Sequence, residues 1–369
     1  MKRGKNMKTL KNFSKGMGIG GWLTNYKRFN VLPEDKRLDI TIGDMEHFES
    51  YITEDDVKYI ASLGMDHIRL GFDQIVLEES PYQYRDVIFE LLHNFVTWCE
   101  KYNLRIVFNM HKALGNYCDI TDQRNLLESE DLKNRFMALW SKIEDEFHDN
   151  SDIIFELLNE VVTPDYDGWN KLAEKTIEVI REKNPDRYII IGGIDWNNPS
   201  ALEYVKVYDD DKIIYTFHCY APHEFTHQQG VLQAAALYYN RKMPYPCDDI
   251  DRYRDAHISW GDNLNPYPDL DRMDIQFLRN YLKPALDFIE KHPDKILWCG
   301  EFGTIRHCNI KYRENYMRDV ITICKENDIP YCVWNYLSTP NDGNRFSLVD
   351  DDTRIILSEE MGRIIKGDF

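Results

Sequence analysis

Eight short, almost wholly apolar runs recur along this chain with amphipathic stretches between them, and this alternation constrains the fold more than any other feature. The runs are 16-GMGIGGW, 67-HIRLGF, 105-RIVFNM, 153-IIFELLN, 188-YIIIGG, 213-IIYTFHCY, 295-KILWCGEFG and 329-IPYCVWNY. Parallel strands covered on both faces read as near-continuous hydrophobic runs of this kind. The intervening stretches carry helix signals. Thr53 opens TEDDVKYIASLG, with Asp56 three residues on and Gly64 as a stop, which predicts a capped helix. Val87, Leu91, Phe95 and Trp98 repeat at spacings of three or four, as do Leu132, Phe136, Leu139 and Ile143 after Ser129. Eight β–α alternations in 369 residues, 43% of them apolar, predict an α/β fold of the (β/α)8 TIM-barrel type, with residues 1–369 as one domain. A doubly wound open sheet is the alternative. The 18-GIGG run does not support it through a phosphate loop, because Trp and Leu follow and no Lys-Ser/Thr stands behind it.

One interval breaks the rhythm. The gap between the sixth and seventh runs is far longer than the rest, and its residues 223–274 hold Phe225, Tyr238, Tyr239, Tyr245, Tyr253, Trp260 and Tyr267. Long loops in compact domains tend to be lids or binding elements, and one on the C-terminal side of a barrel strand sits over the functional face. A helical or irregular insertion over one end of a groove is expected here, with His223, Phe225 and Trp260 as ligand contacts. The competing expectation is an ornament whose tyrosines form a small core of their own.

Charge narrows the partners. With 63 acidic against 45 basic residues the net charge is −18. Such a surface repels phosphate backbones and anionic membranes, so no nucleic acid and no membrane is expected, whereas a neutral polysaccharide meets no repulsion. No run reaches the eighteen apolar residues of a membrane-spanning helix. The eight cysteines include no CxxC and no Cys/His cluster at zinc spacing; Cys219, Cys299 and Cys332 lie in apolar runs, as buried free thiols do. Aromatic residues make up 13%, which suits an aromatic core and equally a cleft with flat apolar faces. The start, MKRGKNMKTLKNFSKGMG, is basic without an apolar h-region, so no signal peptide is visible. The expectation is a cytoplasmic protein, or a secreted one whose leader has been removed.

Polar residues gather at the C-terminal ends of the runs. Arg69 lies in the second; His111 ends the third, Asn159-Glu160 the fourth, His218 and Tyr220 the sixth, Glu301 the seventh and Trp334 the eighth. Any one alone could be a satisfied salt bridge or a lone core histidine. Barrel active sites, however, are built at this end of the strands, and six strands carrying such groups make a constellation. Two carboxylates across a barrel mouth are the equipment of glycosidic hydrolysis: one protonates the leaving oxygen while the other acts at the anomeric carbon. An arginine beside Glu301 would favour its anion, and apolar Val161 and Val162 beside Glu160 would favour its acid form. Asn159 can donate to a sugar 2-hydroxyl, and Trp334 offers a flat face to a pyranose. Trp22 after the first strand and Trp196 after the fifth are placed to line the cleft or to cap the barrel rim.

These pieces resemble glycoside hydrolase family 5, the large retaining family of clan A. The matching motifs are 68-IRL, 109-NMH, 159-NE, 218-HCY, 300-GEFG and 333-VWNY, over about residues 16–350. The runs 155-FELLNEVV, 169-WNKL, 192-GG and 225-FTHQ, with the long insertion after strand six, resemble bacterial endoglucanases of the cellulase-C kind. The resemblance implies Glu160 as acid/base and Glu301 as nucleophile, with carboxyls ~5 Å apart. It implies hydrogen bonds from Arg69 and Tyr220 to Glu301, sugar contacts from His111 and Asn159, His218 near Glu160, and Trp334 as a stacking platform. Lys112 stands where many members have His, and is expected to line the cleft; Val161 and Gly71 each stand where many have Pro. The implied activity is endo-acting, retaining hydrolysis of β-1,4 bonds in cellulose-type or mixed-linkage β-glucan, with no metal, no other cofactor and no protein partner. β-Mannanase and β-1,3-glucanase are alternatives on the same core. From other classes, a zinc-dependent hydrolase would call for an HxH pair, and a non-catalytic sugar-binding barrel would be expected to have lost a glutamate.

Overall fold

All eight apolar runs are parallel strands. They are β1 (Lys15–Leu23), β2 (His67–Asp73), β3 (Arg105–Lys112), β4 (Ile153–Glu156), β5 (Ile189–Gly192), β6 (Ile213–Cys219), β7 (Ile296–Phe302) and β8 (Tyr331–Val333). Each pairs with its neighbours in sequence, and β8 returns to β1 to close the ring, which excludes the doubly wound sheet. The computed structural model describes residues 8–24, 42–116, 124–230, 241–258, 269–339 and 345–369.

Helices α1 (Glu54–Ser62), α2 (Asp86–Lys101), α3 (Glu130–Phe147), α4 (Tyr166–Lys183), α5 (Ile275–Tyr281), α6 (Lys283–Lys291), α7 (Ile310–Glu326) and α8 (Glu359–Lys366) cover the strands; a 3-10 turn, Pro199–Tyr204, follows β5. The Thr53–Asp56 box caps α1, the Thr53 N–H donating to Asp56 Oδ2 at 2.8 Å. Ser129 caps α3. In α2 the buried stripe is Ile88, Phe89, Leu92, Phe95, Val96 and Cys99, while Val87 is exposed. The row read from Val87 was the edge of that stripe rather than its centre. Among the described residues no helix is long and apolar enough to cross a membrane.

Strand side chains alternate between the two faces of a sheet. Val107, Ile154, Ile190, Ile214, Ile296, Trp298 and Cys332, joined by Phe13, form one apolar cluster at the barrel floor, distinct from the larger one between strands and helices. One step further along each inward row the chemistry changes. Asn109 follows Val107, Glu156 follows Ile154, Thr216 and His218 follow Ile214, while Gly192 follows Ile190 and Gly300 follows Trp298. The 18-GIGG run has a packing reason too: a Cβ at Gly18 or Gly20 would lie 2.7 or 2.6 Å from the Trp334 ring.

The described part of the insertion holds a helical turn (His223–Thr226), a helix (Asp251–Ile258) and an antiparallel Cys247–Met273 bridge between two of its own segments. Phe225, Tyr245 and Tyr253 are fully buried. Tyr245 packs on Phe225 and on Tyr316 of α7, with ring centroids 5.4 Å apart in both cases, and its hydroxyl donates to Asp319 at 2.9 Å. These aromatics form a core braced on α7, and Phe225 is not available to a ligand. Tyr238, Tyr239, Trp260 and Tyr267 lie outside the described residues. Cys219, Cys299 and Cys332 are buried free thiols.

Candidate active site

Arg69 ties the mouth together. Its buried guanidinium donates from Nε and Nη2 to the Glu156 carboxylate (2.6 and 2.8 Å), from Nη2 to Asn159 Oδ1 (2.6 Å) and from Nη1 to Glu301 Oε1. Burial works against its charge, but Glu156 and Glu301 outweigh burial and hold its pKa above the ordinary value. Buried charges persist only when paired and bonded in this way. Burial pushes the Glu156 carboxyl up despite Arg69, and the charges of Glu301 and Glu160 add to the push. The Tyr220 hydroxyl donates to the second oxygen, Glu301 Oε2, at 2.8 Å. Burial, then the charge of Glu301, raises that phenol well above its usual range, so it stays a donor. Glu301 therefore accepts at both oxygens.

His218 stands across the β6–β7 ladder from Glu301, where the register shifts after Phe217. Bulges of this kind re-aim side chains next to active sites. Its Nδ1 lies 2.8 Å from Glu160 Oε1, within hydrogen-bond distance, and Glu301 Oε2 lies 3.8 Å from the same nitrogen. Burial lowers the His218 pKa to about 4 against the pull of Glu301, so the ring is neutral at ordinary pH. The Glu160 side chain is 15% exposed, that of Glu301 5%. One oxygen of each carboxylate lies within 4.8 Å of the other and of a His218 ring nitrogen. Three such groups at this spacing have the donor set and separation that can hold a cation.

Asn159 accepts from Arg69 at Oδ1, and its amide hydrogens are the donors it can offer a ligand. His111 is neutral, since burial lowers its pKa well below the ordinary value. Its Nδ1–H donates to Asn109 Oδ1 at 3.0 Å, which leaves the Nε2 lone pair as an acceptor. The His111 ring stacks on Trp334 at 5.2 Å and 5°, and the Arg69 guanidinium lies 5.8 Å from the Trp334 ring.

The chain that folds into this barrel has counterparts among known proteins. The profile of the Cellulase (glycosyl hydrolase family 5) family matches residues 34–339. The chain belongs to glycosyl hydrolase family 5. Endoglucanase C of Acetivibrio thermocellus is 34% identical to it over 361 residues, covering 96% of this chain and 98% of the relative. Cellodextrinase A of Ruminococcus flavefaciens is 30% identical over 296 residues, 79% of this chain and 76% of the relative. Among solved structures, Thermotoga maritima Cel5A in complex with cellobiose aligns at a TM-score of 0.72 and 23% identity, covering 96% and 98% of the two chains, a likeness of fold. This chain is thus a glycoside hydrolase with a polysaccharide substrate.

Within this family-5 barrel, Glu160, Glu301, Arg69, His111, Asn159, His218, Tyr220 and Trp334 form one connected constellation. Trp22 does not join it. The chain breaks its alternation at Gly21 (φ +73°), and Trp22 turns away from the interior. It is 0% exposed, edge-on to Phe95 of α2 at 5.5 Å, with its Nε1–H donating to the Phe48 carbonyl at 2.6 Å. Trp22 is a core residue. Trp196, just past β5, is 43% exposed, with the Arg124 guanidinium 5.6 Å from its ring. Lys112, directly after His111, is 6% exposed, a burial like that of Glu301.

Two members of the site escaped the sequence reading. Glu156 was absorbed into the apolar run 153-IIFELLN. Its signal was parity: an acid one inward step above Ile154 needs a buried partner, and Arg69 is that partner. Asn197, which donates to the Asn159 carbonyl and to His218, left no periodic signal at all.

Proposed function

We propose that this chain is a retaining, endo-acting glucanase that cleaves β-1,4 bonds of cellulose-type or mixed-linkage β-glucan, with Glu301 as nucleophile and Glu160 as acid/base. The spacing carries the reading: an oxygen of Glu160 lies within 4.8 Å of one of Glu301. Retaining enzymes hold their carboxyls ~5–5.5 Å apart, whereas inverting ones leave roughly 6.5–9.5 Å for a water. A Glu301 oxygen attacks the anomeric carbon while Glu160 gives its proton to the departing glycosidic oxygen, leaving a glycosyl ester. Glu160 then takes a proton from water, the water oxygen bonds to the anomeric carbon, and Glu301 departs. Arg69 and Tyr220 orient Glu301 and stabilise it as it leaves. The Asn159 amide reaches the 2-hydroxyl, His111 Nε2 accepts from another hydroxyl, and Trp334 stacks under the ring.

The glucan assignment draws support from the endoglucanase and cellodextrinase relatives. Product release from cellulose derivatives, mixed-linkage glucan, mannan and xylan tests it. Mixed-linkage chains should be cut at least as fast as straight β-1,4-glucan; faster release from mannan than from any glucan would overturn the substrate class.

A further inference from the structure

Asn197 lies in none of the motifs above and touches neither glutamate, yet the backbone around it is exceptional. Asp195, Trp196 and Asn197 take φ of 57°, 54° and 55° in succession. Residues with a Cβ disfavour this region, and three in a row persist only where the surroundings fix them. The turn comes straight after β5, and a Cβ on Gly192 would lie 1.9 Å from Asn197 Oδ1. The glycine admits the amide, fully buried, into the barrel mouth.

Two contacts decide what that amide does. Its Nδ2 meets the main-chain oxygen of Asn159, the residue before Glu160, and lies 3.3 Å from His218 Nε2. A carbonyl oxygen only accepts, so the group facing it is the NH2. The second hydrogen of that NH2 then points to Nε2, which must carry a lone pair. The single proton of the neutral ring is thereby placed on Nδ1, toward Glu160 Oε1.

We propose that Asn197 is a positioning residue that locks His218 in the Nδ1–H tautomer, so that Glu160 Oε1 always meets a donor and Oε2 is left to carry the proton. The proposal rests on Glu160 being the acid/base. Without the lock, the ring is free to carry its proton on Nε2 and present Nδ1 as an acceptor. Protonated Glu160 then directs its proton to Nδ1, which stabilises the acid but withdraws it from the leaving group. The charged and titratable groups facing this ring are Glu160 after β4, Glu301 on β7, Arg69 on β2 and the neutral His111 on β3, with the Tyr220 hydroxyl engaged by Glu301. Burial keeps the ring neutral among them, so the change is one of tautomer rather than charge.

Asn197→Gly keeps the left-handed backbone and removes the amide. Asn197→Asp keeps the shape and supplies an acceptor that draws the proton to Nε2. Both are compared with Glu160→Ala by melting temperature, by nitrogen NMR of His218, and by pH profiles of kcat/KM on a cello-oligosaccharide and on a dinitrophenyl glycoside. In the unmodified enzyme Nδ1 is protonated and Nε2 is not. In Asn197→Asp the proton moves to Nε2, and the alkaline limb of the oligosaccharide profile rises by about one pH unit. Its kcat/KM falls by about 100-fold on the oligosaccharide and by less than about threefold on the activated glycoside. Asn197→Gly moves both readouts in the same direction by less. Equal losses on both substrates, with the alkaline limb unmoved and Nδ1 still protonated, would make Asn197 a structural part only and overturn the proposal. If Glu160→Ala itself lowers both substrates alike, the acid/base assignment falls, and the proposal with it.

Discussion

The floor and the mouth of this barrel are built by the same inward rows, one step apart, and they are held by opposite means. At the floor, Val107, Ile154, Ile190, Ile214 and Ile296 fill the interior around Trp298 and Phe13. At the mouth, the one Arg69 side chain reaches Glu156, Asn159 and Glu301, Tyr220 also holds Glu301, and His218 holds Glu160. Apolar burial has no direction, so a floor residue contributes by filling volume. A buried polar network fixes the orientation of every member through its partners, and only there can a proton or a bond be aimed. Alternation along a strand decides which residues face inward. Height along the strand decides whether they stabilise or react.

Substitutions can break this division or sharpen it. The largest effect is expected from Glu301→Gln. Turnover should fall on the order of 10⁵-fold on every substrate, the scale on which loss of a covalent nucleophile is felt, with little change in melting temperature. A loss below about tenfold would remove the mouth's claim to the chemistry. Arg69→Met joins both regions: with Glu156 left buried and unpaired, denaturant unfolding should show about 3–5 kcal/mol lost, together with activity. Unchanged stability would mean that the network is not what holds the mouth. Ile154→Ala probes the floor, and about 2–4 kcal/mol of stability should disappear with the cavity it leaves. The kcat and KM per folded molecule should stay within about twofold of the parent; a changed pH profile there would blur the boundary. The smallest effect is a slope. The His218 pKa falls to about 4 on folding, so between that value and its unfolded value of ~6.5 the unfolded chain holds a proton that the folded one lacks. Stability contributed by the neutral ring is present above pH ~6.5 and is lost as pH falls toward 4, and His218→Gln should flatten that slope by about 1 kcal/mol per pH unit. An unchanged slope would mean that His218 is not buried as a neutral ring.

The barrel was legible because its strands are buried on both faces and are mostly apolar below the mouth, His67 and Arg105 at the feet of β2 and β3 being polar. The site was legible where a polar residue ended such a run, as His111, Glu160 and Glu301 do. Trp22 was misplaced because one left-handed glycine, Gly21, reverses the alternation, and sequence does not announce which glycines take positive φ. Glu156 was hidden by its apolar neighbours, although its inward parity with Ile154 marks it once the floor is known. Asn197 enters the site through three successive left-handed residues, a conformation that no propensity predicts. The insertion's tyrosines follow the same logic in reverse: an aromatic-rich stretch suits a ligand and a core equally, and Asp319 on α7 gives Tyr245 a partner within the protein.

The central claim, a double displacement at the mouth with Glu301 as nucleophile, is tested most directly by trapping the intermediate. A cellobioside with fluorine at the sugar 2-position and a good leaving group slows the second displacement, and mass spectrometry of the digested protein then locates the attached sugar. One labelled peptide is predicted, with the glycosyl group on Glu301 and release on transfer to an added glucoside. A label on any other residue, or turnover to the inverted anomer with no label at all, would contradict the account.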